Sequence, residues 1–341
     1  MTLSVAIAGA SGYAGGELAR LLHNHPHFRV VTLAAGAKSG ALVESVHPHL
    51  TALRGTAFVE TSASTLENHD LVFLALPHGA SAALARELKS PKIVDLGADF
   101  RLESAEQWNR YYGSTPHAGH WIYGLPELCD VSAIAAATRV ANPGCYATAI
   151  ALAAAPALSA GVADGTDITV VAASGTSGAG RSASESLLAS EIMGSVSSYK
   201  TGGIHQHTPE IEQTLGRFST SDVRISFTPL LVPMPRGIHA TITMRAEGTN
   251  RESLKSIYEN FYREKHFVSV LAGNEQPRTA NVLGTNNVEL QVTFDEHVNR
   301  LIVTAVIDNL GKGAAAQAIQ NANIMCGFDQ STGLKLMGVA P

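Results

Sequence analysis

The sequence predicts an α/β protein built in two parts, and three observations carry the prediction. A glycine-rich turn, Gly9-Ala10-Ser11-Gly12-Tyr13-Ala14-Gly15-Gly16, stands between a strand-like run at 3–8 and a helical stretch. Strand-like stretches at 28–35, 71–76 and 92–96, the second continuously apolar, then alternate with helical stretches, as in a doubly wound parallel sheet. Stretches at 223–232, 238–245, 288–294 and 301–307 alternate instead, which suits antiparallel strands. The expected fold is a Rossmann-type, doubly wound dinucleotide-binding domain joined to an α+β domain with a mostly antiparallel sheet.

The 341 residues suffice for one large or two ordinary domains. A formal charge of -5 argues against a nucleic-acid partner. No basic stretch points to a membrane surface, and the longest apolar runs fall far short of the roughly 20 residues of a spanning helix. The chain opens on a strand-like run without a signal-peptide charge pattern, and it has three cysteines, Cys129, Cys145 and Cys326. Both features lead us to expect a reducing cytoplasm. No Cys-x-x-Cys or His-Glu-x-x-His spacing occurs, so no metal is expected.

Taken in order, the first strand, its turn and the helix at 17–23 give the context of a dinucleotide-binding fingerprint. The spacing is Gly-x-x-Gly-x-x-Gly through Gly9, Gly12 and Gly15. Glycines let backbone approach a pyrophosphate, and a helix N-terminus offers free N–H groups to it. An acid at the end of the second strand would bind the ribose 2′-OH of NAD. Here that place reads Ala35-Gly36-Ala37-Lys38-Ser39, with no acid, so Lys38 and Ser39 suit a 2′-phosphate and favour NADP. The strand tips at 9–15, 36–39, 77–81 and 97–101 are expected on one edge, where ligands of such sheets bind. Tyr123-Gly124-Leu125-Pro126-Glu127 is a compact turn, and a strand at 139–141 delivers the chain to Asn142.

Asn142-Pro143-Gly144-Cys145 then turns into an Ala-rich helix at 147–160, which Pro156 is expected to kink or end. A thiol at a helix start ionises more readily, which makes Cys145 a candidate nucleophile. Cys129 and Cys326 read instead as small apolar fillers. A thiolate nucleophile needs a proton carrier. His205 and His207, two apart in a segment expected to be extended, share a side. Thr208 is a candidate N-cap and Pro209 a first helical residue. After a strand at 168–173, the loop Ser174-Gly175-Thr176-Ser177-Gly178-Ala179-Gly180-Arg181 suits an anion, with Arg181 as a fork. Arg236, on the Pro-framed turn 231–237, is a second. The helix at 314–325 is expected to pack on the first domain, and one face of the second sheet to meet another subunit.

Eight motifs, in order, resemble one family. They are 9–18, Leu76-Pro77-His78-Gly79, Asp95-Leu96-Gly97-Ala98-Asp99-Phe100-Arg101, 123–127, Asn142-Pro143-Gly144-Cys145-Tyr146, 174–181 without Thr176, His205-x-His207-x-Pro209-Glu210-Ile211, and Asp308-Asn309-Leu310-x-Lys312-Gly313-Ala314. The chain resembles, over nearly its whole length, the N-acetyl-gamma-glutamyl-phosphate reductases of the aspartate-semialdehyde dehydrogenase superfamily. Ala147 stands where that family often has Pro, which bears on how the helix starts. Ala173 stands where many members have Lys, which bears on any role for a lysine there.

The resemblance implies NADPH-dependent reduction of N-acetyl-glutamyl 5-phosphate to the 5-semialdehyde, with phosphate release, in arginine biosynthesis. It implies a thioester on Cys145, with a histidine of the 205/207 pair moving the proton; His207, beside the helix start, is preferred. Cofactor contacts are expected from Gly9, Ser11, Gly12, Tyr13, Ala14, Gly15, Lys38, Ser39, Pro77, His78, Ser174, Gly175 and Asn309, the last near the nicotinamide. Substrate contacts are expected from Arg101, Asn142, Arg181, Arg236 and Glu210, without assigning phosphate or carboxylate to any one arginine. Residues 1–144 with 311–341 are expected to bind NADP(H). Residues 145–310 are expected to carry catalysis and assembly as a homodimer or homotetramer. The alternatives are an aspartate-semialdehyde dehydrogenase, with a shorter substrate, and a non-catalytic NADP(H)-binding redox sensor switched at Cys145.

Overall fold

Leu71–Leu74 is a short apolar run buried along its whole length, as an interior strand of a covered parallel sheet is. The computed structural model describes residues 2–89, 91–113 and 115–339. It places β1 (Leu3–Ala8), β2 (Phe28–Ala34), β3 (Leu71–Leu74), β4 (Lys92–Asp95), β5 (Ile122–Tyr123) and β6 (Arg139–Ala141) in one sheet. The order is β2-β1-β3-β4-β6-β5, and every pairing is parallel. The chain moves outward from β1 to β2, then crosses back to β3. β1 is therefore the topological switch point, and the glycine turn leaves its carboxyl end.

By internal contact this first unit comprises Met1–Asn109, Gly113–Pro143 and Ala314–Leu334. Its helices include Tyr13–Leu22, Ala80–Glu87 and Ala316–Met325. The last of these packs against the Val131–Ala136 helix, the Tyr13–Leu22 helix and β4. The second unit comprises Arg110–Tyr112, Gly144–Gly313 and Lys335–Pro341, so residues 311–313 group with it.

The second unit is built on β7 (Ala163–Ser174), β8 (Ser197–Ser198), β9 (Ile225–Leu231), β10 (Ile238–Ala246), β11 (Val268–Val270), β12 (Val288–Asp295) and β13 (Arg300–Ile307). The order is β11-β12-β13-β10-β7-β9-β8. Its centre is antiparallel, but β7 pairs with β9, and β11 with β12, in parallel. The sheet is mostly antiparallel, as expected, and the two parallel pairs arise because each is joined by a connection long enough to cross over. The β7–β9 connection contains the helix Thr208–Gly216, and the β11–β12 connection the helix Thr279–Val282.

The helix Cys145–Ser159 fills the core of this unit, with every residue from Tyr146 to Leu158 buried. Its alanines leave little bulk, so neighbours approach closely. Pro156 neither ends nor breaks it. A proline removes the hydrogen bond to the carbonyl four residues earlier, here Leu152. That carbonyl accepts the Tyr262 hydroxyl, and Ala153 O accepts the Tyr258 hydroxyl at 2.7 Å. Both tyrosines come from the helix Arg251–Tyr262. Among the described residues, no helix is long and apolar enough to cross a membrane.

Candidate active site

Cys145 is the first residue of its helix, and Gly144, in an extended conformation, is the N-cap. The N–H groups of the first turn and the positive dipole end favour a thiolate there. The turn is fixed by two bonds. Gly144 N–H donates to Glu210 Oε1 at 2.7 Å, and the Thr148 hydroxyl donates to Gly144 O at 3.0 Å. Glu210 lies in the first turn of the Thr208–Gly216 helix, with its carboxylate buried. No disulfide occurs among the described residues.

The two histidines are brought together, though by another route than expected. Residues 201–207 form turns and no strand, and Thr208 N–H closes one of them on His205 O at 2.9 Å. His207, not Thr208, is the N-cap, and the Thr208 hydroxyl is buried without a hydrogen-bond partner. The helix begins one residue earlier than its Thr-Pro signal suggested, with Pro209 in its first turn. The imidazole centroids are 5.0 Å apart, and each ring packs edge-on to Tyr146, at 5.5 Å for His205 and 6.0 Å for His207.

His205 is 6% exposed. Burial, with His207 and Lys200 nearby, pushes its pKa down to about 3, against the pull of Glu210. Its Nδ1 accepts the His207 N–H at 3.1 Å, so the neutral ring carries its proton on Nε2. Tyr199 donates its hydroxyl to Tyr146 Oη at 3.0 Å and also packs on His205. Burial raises Tyr199 to about 12, and Cys145 lies close enough to add to that shift. Nothing in the sequence pattern singled out Tyr199.

A second group of predicted residues meets around Asp308 and Asn309. Arg236 presents Nε to Asp308 Oδ1 at 3.1 Å and Nη2 to Oδ2 at 2.9 Å, a bidentate pair. Asn309 takes the Gly237 N–H at 2.7 Å and gives Nδ2 to the Ser177 hydroxyl at 3.0 Å. Gly175 lies against Arg236, where an added Cβ would come within 2.8 Å of the Arg236 backbone nitrogen. Ser174 is buried, whereas Arg181 is exposed past the short 3₁₀ turn Thr176–Ala179. Asp308 was seen only as part of a motif; its role as partner of Arg236 has no signal in the sequence.

In the first unit the glycine turn is as tight as its spacing suggests. Gly9 has φ +79°, and a Cβ there would lie 2.2 Å from Ala75 O; a Cβ on Gly15 would lie 2.3 Å from Gly9 O. Gly12 caps the helix Tyr13–Leu22, with Ser11, Tyr13 and Ala14 partly or largely exposed around it. This is a backbone cradle that fits a pyrophosphate. His47, which the sequence did not flag, underpins it by bonding Ala10 O at 2.9 Å. Lys38 and Ser39 are exposed beyond β2, with no carboxylate between them and the strand. Pro77 and His78 are exposed at the next tip. Asp99 ties that tip to its neighbour by accepting Gly79 N–H at 2.6 Å and Ala82 N–H at 2.8 Å.

Arg101 and Asn142 are turned inward. Arg101 donates Nε to Asn142 O and Nη2 to Leu96 O, both at 2.8 Å. Asn142 is fully buried, donating to Ala314 O at 3.2 Å and accepting from Asn321 at 3.0 Å.

A semialdehyde dehydrogenase NAD binding domain matches residues 4–137, and a semialdehyde dehydrogenase dimerisation domain matches residues 145–309. The chain belongs to the semialdehyde dehydrogenase family. Within it, the chain groups with the N-acetyl-gamma-glutamyl-phosphate reductases. It is 52% identical to the one from Acidothermus cellulolyticus and 48% identical to that of Streptomyces coelicolor, over 100% of both chains in each case. The fold is also that of aspartate semialdehyde dehydrogenase II from Vibrio cholerae, crystallised with ASA, at a TM-score of 0.72 and 16% identity over 96% of this chain and 99% of that one. The Candida albicans enzyme, crystallised with NADP, gives 0.68 and 14% over the same shares.

Proposed function

We propose that this chain reduces N-acetyl-glutamyl 5-phosphate to N-acetyl-glutamate 5-semialdehyde, releasing phosphate, as a step of arginine biosynthesis. The observation that carries the chemistry is Cys145 at a helix start, with His205 and His207 gathered on the ring of the next residue. Full-length relatives at 48–52% identity support the choice of substrate.

The Cys145 thiolate attacks the acyl carbon; the C–S bond forms, the C–O bond to phosphate breaks, and phosphate leaves. Bound NADPH supplies the hydride that reduces the resulting thioester. His207 protonates the oxygen of the thiohemiacetal on Cys145 and takes that proton back as the C–S bond breaks, which frees the aldehyde and restores the thiolate. We assign the proton transfer to His207 rather than to His205, because burial disfavours the charged form of the His205 ring. Glu210 holds Gly144 and so sets the nucleophile's turn.

The glycine turn with Ser11, Tyr13 and Ala14 is proposed to hold the pyrophosphate, and Lys38 with Ser39 the 2′-phosphate. Further cofactor contacts are proposed for Pro77 and His78 of the first unit, and, separately, for Ser174, Gly175 and Asn309 of the second. Arg181 and Arg236 take the substrate's anionic groups, while Arg101 and Asn142 shape the backbone ahead of the nucleophile. A homodimer or homotetramer in the cytoplasm completes the reading, supported by the alternation along β10, which leaves one face of its sheet half-exposed.

Steady-state assays with NADP, phosphate and each aldehyde test the substrate. The N-acetyl-glutamate semialdehyde is expected to turn over faster; faster turnover of aspartate semialdehyde would overturn the assignment.

A further inference from the structure

Between β13 and the helix Ala316–Met325 the chain makes a π-helical turn, Gly311–Ala315. Such turns are rare and recur at functional sites. This one brings Gly313 against the nucleophile. A Cβ built on Gly313 would lie 2.7 Å from Cys145 Cβ and 3.2 Å from Cys145 Cα. Neither atom can swing aside, since both are fixed by the backbone of the first helical residue. The φ of Gly313 is not left-handed, so what excludes a side chain here is space and not backbone strain.

Asp308 holds the turn at three N–H groups. Asp308, fully buried, takes the Leu310 N–H at 2.9 Å and the Gly311 N–H at 3.2 Å on Oδ1, and its main-chain oxygen takes the Gly313 N–H at 2.9 Å. The same carboxylate accepts the Gly284 N–H at 2.6 Å and grips the Arg236 fork.

We infer that residues 308–313 are a positioning unit: Gly313 is the wall that fixes the Cys145 side chain, and Asp308 ties that wall to the arginine proposed for the substrate's anion. The inference rests on the reading of Cys145 as the nucleophile. Its parts separate in two variants. Gly313→Ala displaces the thiol, and displacements of about 1 Å cost on the order of 100-fold in rate. Asp308→Asn keeps an acceptor for the Leu310 and Gly311 N–H groups but removes the charge facing Arg236 and the acceptor of the Gly284 N–H.

The test measures kcat, KM, the NADPH dissociation constant by fluorescence titration, and Cys145 alkylation by iodoacetamide. Gly313→Ala is expected to lower kcat at least 10-fold and to change alkylation, with NADPH binding within about twofold. Asp308→Asn is expected to raise the acyl-phosphate KM at least 10-fold with alkylation unchanged. Because Gly313→Ala alters stability, its Tm loss is also measured in a Cys145→Gly background, where the opposing Cβ is gone and the loss should shrink, the 3.2 Å contact with the Cα remaining. An equal Tm loss in both backgrounds, or wild-type kinetics in either single variant, overturns the inference. The Tm comparison does not depend on catalysis, so an inactive wild type would refute the nucleophile while leaving the contact between Gly313 and Cys145 tested.

Discussion

His205 and His207 share a turn and a neighbour, yet differ in burial, since His205 is buried and His207 only partly so. His205 is walled in by Tyr146, Tyr199 and Phe227, and its Nδ1 is taken by a backbone N–H. His207→Gln is therefore expected to lower kcat by about 10²–10⁴ and to remove one limb of the pH–rate profile, whereas His205→Asn should keep both limbs. The low pKa of His205 also predicts a stability effect. The unfolded ring binds a proton near pH 6.5 and the folded one only near 3, so stability contributed above pH 6.5 is lost as pH falls toward 3. Urea midpoints of the wild type should fall more steeply across that window than those of His205→Asn; parallel curves would contradict it. At this scale the sequence could find both histidines, the thiol and the arginines, because residue type and spacing carry that much. It could not show that His205 is the more buried of the two, because the packing of distant residues sets that.

Elements were legible where a local pattern sets them and blurred where distant residues do. The Gly-x-x-Gly-x-x-Gly turn between strand and helix is where its spacing put it, since its tightness is a property of the local backbone. Pro156 was expected to disturb its helix and does not, because Tyr262, about a hundred residues later in the chain, satisfies the carbonyl it frees. Tyr262→Phe should leave that carbonyl unpaired and cost about 1–3 kcal/mol in chemical denaturation, while an unchanged midpoint would remove this account. At the end of β4, Asp95 is fully buried, and burial lifts its pKa to about 6, against the Ser81 hydroxyl and the Gly97 N–H. Its folded value lies above the unfolded 3.8, so its contribution is intact below that pH and is lost as pH rises through 6. Asp95→Asn, which can still accept the Gly97 N–H, should be more stable than wild type at pH 8 and no more stable at pH 4.

At the scale of the whole molecule, fold class was readable from the glycine turn and the strand patterns, and the family from the resemblance of eight motifs in order. The mixed pairing of the second sheet was not, because strand direction follows from crossovers that alternation alone does not reveal. Cofactor choice belongs to this scale too. Lys38→Ala is expected to weaken NADPH binding about 10-fold and to leave NADH binding unchanged; equal weakening of both would contradict a 2′-phosphate contact. The account as a whole stands on an acyl group carried by Cys145. The most direct measurement mixes the enzyme with N-acetyl-glutamate 5-semialdehyde and NADP, without phosphate, and follows NADPH and intact mass together. The account predicts a burst of about one NADPH per chain and an N-acetylglutamyl adduct on the peptide containing Cys145, both absent in Cys145→Ala. NADPH formed in the burst with no adduct on Cys145, or a burst that survives in Cys145→Ala, would contradict it.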